Sequence, residues 1–355
     1  MSHHPWKILV FVVLLLCGTA SAVRADEPSV NMRIDLSGAE AVLRLFDSDQ
    51  PQKHEVEALL HLPAVRATIV QTGQFDPTAT DDVFVETLWH AINGDQLTSD
   101  PFQFGVVRDR LPEIRKTISG LMDSGAAITA RISDRLTMYT PPDLAIETTM
   151  FAVLGGTSDG WAPDDEGFYV ALRYFRGDTA GLTSLVTHET YHIAQRAFFS
   201  QDESDSHTDV ANMLVASLLS EGTATLVGDP TLFDGDERYL QFLKRKHRRN
   251  MQRIEQNFAL FEALYFRAMH DPDVTPEKVY SIGFTGGWDS PLYFVGFQIA
   301  QGLEKHLGRE TLVELLATST PTDVLARYVR LYTETGDPDL PQFSPTVAAS
   351  FASSL

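Results

Sequence analysis

His188 and His192 stand four residues apart, with Glu189 directly after the first, in the stretch His-Glu-Thr-Tyr-His. Two imidazoles at that spacing can grip one ion only if the chain there is helical. On a helix, residues four apart sit one turn above each other on the same face. The segment from about Thr179 to Phe199 has the composition of a helix, so the pattern H-E-x-x-H predicts both rings on one face. Glu189, one step round, would then be placed to act on water at a metal ion. Cys17 is the only cysteine, so beyond residue 17 there is neither a disulfide nor a thiolate ligand, and a metal must be held by histidine and carboxylate.

Ile8 to Cys17 is an apolar run preceded by Lys7 and followed by Gly18-Thr19-Ala20-Ser21-Ala22. It is too short to span a bilayer and matches the apolar region of a secretory signal. Residues 1–25 are therefore expected to be a signal peptide cleaved after Ala22 or Ala25. The expected product is exported, periplasmic or secreted, with no stable membrane insertion. Leu16 before Cys17 puts bulk where a lipoprotein signal takes a small residue. The 48 acidic against 28 basic residues, a formal charge of −20, argue against nucleic-acid binding and weakly against acidic substrates. The one basic cluster, Lys244 to Arg249, reads as the solvated face of a long helix.

Residues 26–145 read as helices. Ser37 to Glu40 has capping-box spacing, Val56 to Leu62 precedes Pro63, Val83 to Ile92 ends at Asn93-Gly94, and Ile114 to Leu136 keeps helical spacing up to Pro141-Pro142. The texture changes near residue 146. Thr148 to Leu154 and Phe168 to Phe175 read as strands, with a Gly-, Asp- and Pro-rich loop from Thr157 to Gly167 between them. Helices resume at about Asp209 to Val227, Glu237 to His270 and Leu292 to Leu307. The expected fold class is α+β, predominantly helical, with one small β-sheet and the H-E-x-x-H helix, one unit in two lobes (26–145 and 146–355).

A catalytic zinc usually takes three protein ligands. Glu221 is the candidate third. On its helix it shares a face with Leu214, Ser217, Leu218, Ala224 and Thr225, which is otherwise apolar or small. A bare carboxylate buried there costs several kcal/mol unless a cation or strong donors meet it. His207 is the competing ligand, and Asp205 or Asp209 could orient a ligand imidazole through its second nitrogen.

His188-Glu189-x-x-His192 followed by Glu221-Gly222-x-Ala224 resembles the gluzincin branch of zinc metallopeptidases. It is most similar to uncharacterised bacterial zinc-dependent peptidases of the peptidase-MA-like group, over about residues 145 to 320. The resemblance also rests on Gly155-Gly156-x-x-Asp159-Gly160, Tyr169 to Phe175 and Pro291-x-Tyr293-x-x-Gly296. It implies a zincin-like core in 146–355, one zinc on His188, His192 and Glu221, and a peptide or protein substrate. Glu189 would be the general base that takes a proton from the attacking water and returns it to the leaving amine. Tyr293 would donate to the oxyanion, with Gly296 allowing close helix packing, while Tyr191 packs behind the metal helix. By analogy, Tyr169 to Phe175 would be the edge strand beside the metal, its residues Tyr169, Ala171 and Arg173 meeting extended substrate. Twenty-eight residues separate His192 from Glu221, more than in familiar members, and Thr225 stands where an Asp would follow the glutamate. A catalytically silent zincin-fold binding protein of the cell envelope is the alternative, although a binding protein gains nothing from Glu189.

Overall fold

The computed structural model describes residues 29–163, 167–199 and 210–352. The signal-peptide segment, and with it His207, Asp205 and Asp209, lie outside the described residues. The chain opens with strand β1 (Ser29–Asp35) and runs through α1 (Ser37–Phe46), α2 (Lys53–Ala58), α3 (Pro63–Phe75), α4 (Asp81–Ile92), α5 (Phe104–Asp109) and the long α6 (Leu111–Thr137). Strands β2 (Ala145–Val153), β3 (Gly160–Trp161) and β4 (Gly167–Ala171) follow, then α7 (Thr179–Phe198) and α8 (Val210–Val227). The remainder is helical: α9 (Arg238–Gln252), α10 (Ile254–His270), α11 (Pro276–Gly283), α12 (Pro291–Leu307), α13 (Arg309–Thr318), α14 (Pro321–Thr335) and α15 (Pro345–Ala352).

The protein is predominantly helical with one small mixed sheet, ordered β1-β2-β4-β3. β1, β2 and β4 are parallel, and β3 runs antiparallel along the outer side of β4. Two expectations change here. β1 lies in the region expected to be helical, yet Val30 and Met32 alternate with exposed neighbours as a half-buried strand requires. It pairs with β2 from Ser29↔Ala145 to Asp35↔Phe151, so the division at 145/146 falls inside a hydrogen-bonded sheet. One continuous core, from Val30 to Phe351, joins both sides. The segment Phe168 to Phe175 is also not one strand. β4 ends at Ala171 and a 3-10 turn takes Leu172 to Tyr174.

Two smaller differences are local. The box at Ser37–Glu40 does not form. The Ser37 N–H donates to Asp35 Oδ1 at 2.8 Å, and the capping box among these helices is at Gln52 and Glu55 of α2. The stretch Glu237–His270 divides at Arg253, which leaves helical geometry (φ −119°, ψ 28°) between α9 and α10.

Helix α7 is placed by its start. Arg176 and Gly177 both take left-handed backbone (φ 56° and 85°), turning the chain from the sheet into the helix. Asp178 then caps it, accepting from Gly181 N–H at 2.7 Å, while its other oxygen accepts from Leu240 N–H at 2.7 Å and pins the start of α9. Val210–Leu232 is apolar and long enough to cross a membrane by composition alone, but it is mostly buried in the protein, packed by α7, α10, α12 and α14. It is the core helix of this fold.

α8 and α12 cross with almost no side chain between them. A Cβ on Gly296 would lie 1.9 Å from the Leu218 carbonyl oxygen, and one on Gly222 would lie 2.2 Å from the Gly296 carbonyl carbon. Only two glycines allow that approach. Glu221 precedes the first of them and Tyr293 stands one turn before the second, so the crossing brings both side chains to one place.

Candidate metal centre

His188 and His192 project from α7 and Glu221 from α8. Their ligand-type atoms converge: His192 Nε2 lies 3.1 Å from His188 Nε2 and 3.2 Å from Glu221 Oε2, and His188 Nε2 lies 3.3 Å from the same oxygen. Three donors bound to a tetrahedral ion at about 2.0–2.1 Å must stand about 3.3 Å apart, so this donor set fits zinc without rearrangement. Among the described residues, these three are the cluster of His, Cys, Asp and Glu able to hold a metal.

The electrostatics match a cation site. Burial disfavours charge on all three groups, yet Glu221 is held well below the usual carboxylate range by the charge and hydrogen bonds of both imidazoles. Burial lowers the His188 imidazole. Burial pulls His192 the same way, but the charge and hydrogen bond of Glu221 override it and push His192 up to about 9.

A side-chain network fixes the second nitrogen of His192. Gln195 Oε1 lies 2.8 Å from His192 Nδ1, and its amide donates to the Ser220 carbonyl at 2.9 Å and to Thr223 Oγ1 at 2.7 Å. The network holds the imidazole tautomer with Nε2 free to ligate, and it ties α7 to α8 at the level of Glu221. Gln195 was missed in the sequence. Its signal was there, three residues after His192 and so on the same helical face.

Glu189 is buried (7% exposed), and burial pushes its carboxyl up to about 8. It sits beneath Gly160 of β3, where an added Cβ would lie 2.9 Å from Oε1. The glycine makes room for the acid. Asp159 beside it accepts from Tyr239 Oη at 2.6 Å.

Tyr293 stacks on His188, with ring centroids 5.8 Å apart and planes at 5°. Its hydroxyl is close enough to Glu221 and Tyr280 to feel their charges. Burial, then the nearby charge of Glu221, holds the phenol protonated far above its ordinary value, so it is a donor. Lys246 Nζ sits 5.4 Å from the Tyr293 ring centroid and donates to Ser290 Oγ at 3.1 Å. Tyr280 and Lys246 were not anticipated. Lys246 belongs to the cluster read as a solvated face, but that face borders the site. Tyr191 is fully buried, its hydroxyl donating to the Tyr139 carbonyl at 3.3 Å.

A cleft of about 1530 Å³ contains His188, Glu189, His192, Glu221 and Tyr293. Tyr169, Ala171 and Arg173 do not line it. β4 has partners on both sides, β2 and β3, so it is not an edge. Tyr169 is stacked between Phe151 and Trp161, and Ala171 is fully buried. Arg173 is fully buried too, its guanidinium donating to the carbonyls of Leu154, Gly155 and Gly156 and to Tyr174 Oη. The sheet edge on the side of the triad is β3, and residues Thr157 to Pro163 around it line the same cleft.

The sequence model of a family described as "Putative zinc dependent peptidase (DUF5700)" matches residues 56–336. The chain belongs to that family. Its zinc-dependent description agrees with the donor set above, and the matched span contains α7, α8 and α12. No curated protein and no solved structure matches the chain.

Proposed function

We propose that this member of the zinc-dependent peptidase family is an exported metallopeptidase of the gluzincin type, hydrolysing peptide bonds with Glu189 as general base. The observation that carries the reading is the convergence of two helices on one point. His188 and His192 of α7 and Glu221 of α8 stand 3.1–3.3 Å apart in a cleft that also holds a buried carboxyl and a phenol. The zincin-type core is supported by the pairing of the H-E-x-x-H helix with a mixed sheet whose antiparallel edge borders the cleft.

His188, His192 and Glu221 would hold the zinc, which when bound supplies Lewis acidity to a carbonyl and to water. Glu189 takes the proton of the attacking water at its carboxylate and passes it to the leaving amine. The Tyr293 hydroxyl donates to the oxygen that gains charge as the carbonyl is attacked. Gln195 keeps the His192 ring fixed throughout. Extended substrate pairs with the open side of β3, which places its backbone over Glu189.

Export is the second part of the proposal and rests on Lys7 and the apolar run Ile8 to Cys17, with a periplasmic or secreted product that neither inserts in the membrane nor binds nucleic acid. The test is a cleavage profile on denatured proteins and peptide libraries with and without chelator, wild type beside Glu189→Gln. The variant should retain zinc and lose turnover. Cleavage that survives the substitution rejects the role of Glu189.

A further inference from the structure

β3 is the edge on which the peptidase reading seats its substrate, yet it consists of Gly160 and Trp161 alone. A strand of two residues, paired on one side only, has too few ladder bonds to fix its own place. Other elements fix it. The Asp159 carbonyl accepts from Ala171 N–H at 2.9 Å, and Gly160 and Trp161 stand opposite Val170 and Tyr169. Antiparallel alternation then turns the backbone groups of Asp159 and Trp161 toward β4, and those of Gly160 and Ala162 toward the open side. Both outward residues are held by side chains. Gly160 N–H donates to Asp159 Oδ1 at 3.1 Å, and the Ala162 carbonyl accepts from Arg196 of α7.

Asp159 is itself held, because its other oxygen accepts from Tyr239 Oη at 2.6 Å. Tyr239 is buried at the start of α9 and has no room to swing. Its ring meets Phe175 edge-on with centroids 4.6 Å apart. On another side it lies so close to Gly181 of α7 that a Cβ added to that glycine would stand 2.9 Å from Tyr239 Cδ1. The next residue, Leu240, is tied to the cap of α7 through Asp178. A line of contacts therefore runs from the first turn of the metal-site helix through Tyr239 and Asp159 to Gly160, the residue that lies against Glu189.

We propose that Tyr239 and Asp159 are positioning residues for the substrate backbone. The hydroxyl fixes the carboxylate, the carboxylate fixes Gly160 N–H, and the Gly160 carbonyl is thereby presented to a backbone N–H of an extended peptide. The inference rests on the peptidase reading and deepens it, by assigning the seat of the substrate to two residues outside the triad.

The test uses the zinc-loaded full-length protein with dye-labelled casein, then a blocked decapeptide spanning a bond cut in that casein. Tyr239→Phe should keep its zinc and raise KM about tenfold, with kcat within about threefold of wild type. Asp159→Asn, which keeps an oxygen for the hydroxyl, should stay closer to wild type than Asp159→Ala. Tyr328→Phe is the control. That hydroxyl donates to the Pro341 carbonyl at 2.8 Å, away from the cleft, so its loss should leave KM unchanged. Methylating the backbone nitrogens of the decapeptide in turn should expose a position that wild type does not tolerate and to which Tyr239→Phe is less sensitive. A wild-type KM in Tyr239→Phe, a loss confined to kcat, or an equal loss in Tyr328→Phe overturns the assignment and leaves the peptidase standing. If wild type leaves casein intact, the peptidase reading fails, and anisotropy of the labelled casein reads the edge alone. Binding about tenfold weaker in Tyr239→Phe than in wild type then sustains the positioning, and equal or absent binding overturns it.

Discussion

Gly296→Ala adds a single methyl where α12 meets α8, and its cost can be worked from the crossing. The new Cβ would stand 1.9 Å from the Leu218 carbonyl oxygen, whereas real contacts of this kind essentially never fall below 3.0 Å. The obstacle is backbone, so no side chain can turn away, and the helices must part by about 1 Å or more. Overpacking of this kind costs about 3 kcal/mol, offset by about 1 kcal/mol from the better helix propensity of alanine. A net loss of about 2 kcal/mol is expected in urea unfolding. α8 is tied to α7 through Gln195 and through Ser184, whose hydroxyl donates to the Gly228 carbonyl at 2.6 Å. The movement therefore falls on α12 and carries Tyr293 away from His188. A misplacement of about 1 Å can cost about 100-fold in turnover, while zinc affinity should change much less. Gly73→Ala is the control, since the nearest atom to its added Cβ is 3.7 Å away, and it should stabilise by up to about 1 kcal/mol. If Gly296→Ala unfolds at the wild-type midpoint and turns over normally, the crossing does not position the site.

Other outcomes follow from the same geometry. Gln195→Leu removes the group that fixes His192 and should weaken zinc binding about 10- to 100-fold, measured by competition with a chelating dye. Tyr293→Phe should keep its zinc and lose about 100-fold in kcat, because it lacks only the donated hydrogen bond. Asp289 is held below its ordinary pKa by hydrogen bonds and charge from Arg249 and Arg253, at 2.9 and 3.2 Å. A depressed carboxyl contributes stability above its unfolded pKa of about 4 that is lost as pH falls through the folded value. Asp289→Asn, which tolerates the left-handed backbone there (φ 62°), should thus cost about 0.5–1 kcal/mol at pH 7 and progressively less below pH 4. An Asn variant whose deficit is constant from pH 7 to pH 3 contradicts this pairing.

What the sequence disclosed and what it hid divide along physical lines. The helix carrying His188 and His192 depends on local spacing, and Glu221 declared itself as an acid on an otherwise apolar face. Both are properties of a single element. β1 had the alternation Val30-x-Met32-x-Ile34, but a seven-residue strand becomes recognisable only through its pairing with β2, far along the chain. β3 has two residues and exists because β4 accepts it, so the identity of the sheet edge was not a local property. Arg173 reads in the sequence as a strand side chain that meets extended substrate. In the fold it is enclosed by the carbonyls of a turn almost twenty residues earlier.

Metal content of the purified chain, compared between wild type and Glu221→Ala, reads the geometry at its centre. Three donors standing 3.1–3.3 Å apart on α7 and α8 predict about one tightly held zinc per wild-type chain and its loss when the carboxylate is removed. A wild-type protein that takes up no zinc, or a Glu221→Ala variant that holds it as tightly as before, would contradict that account.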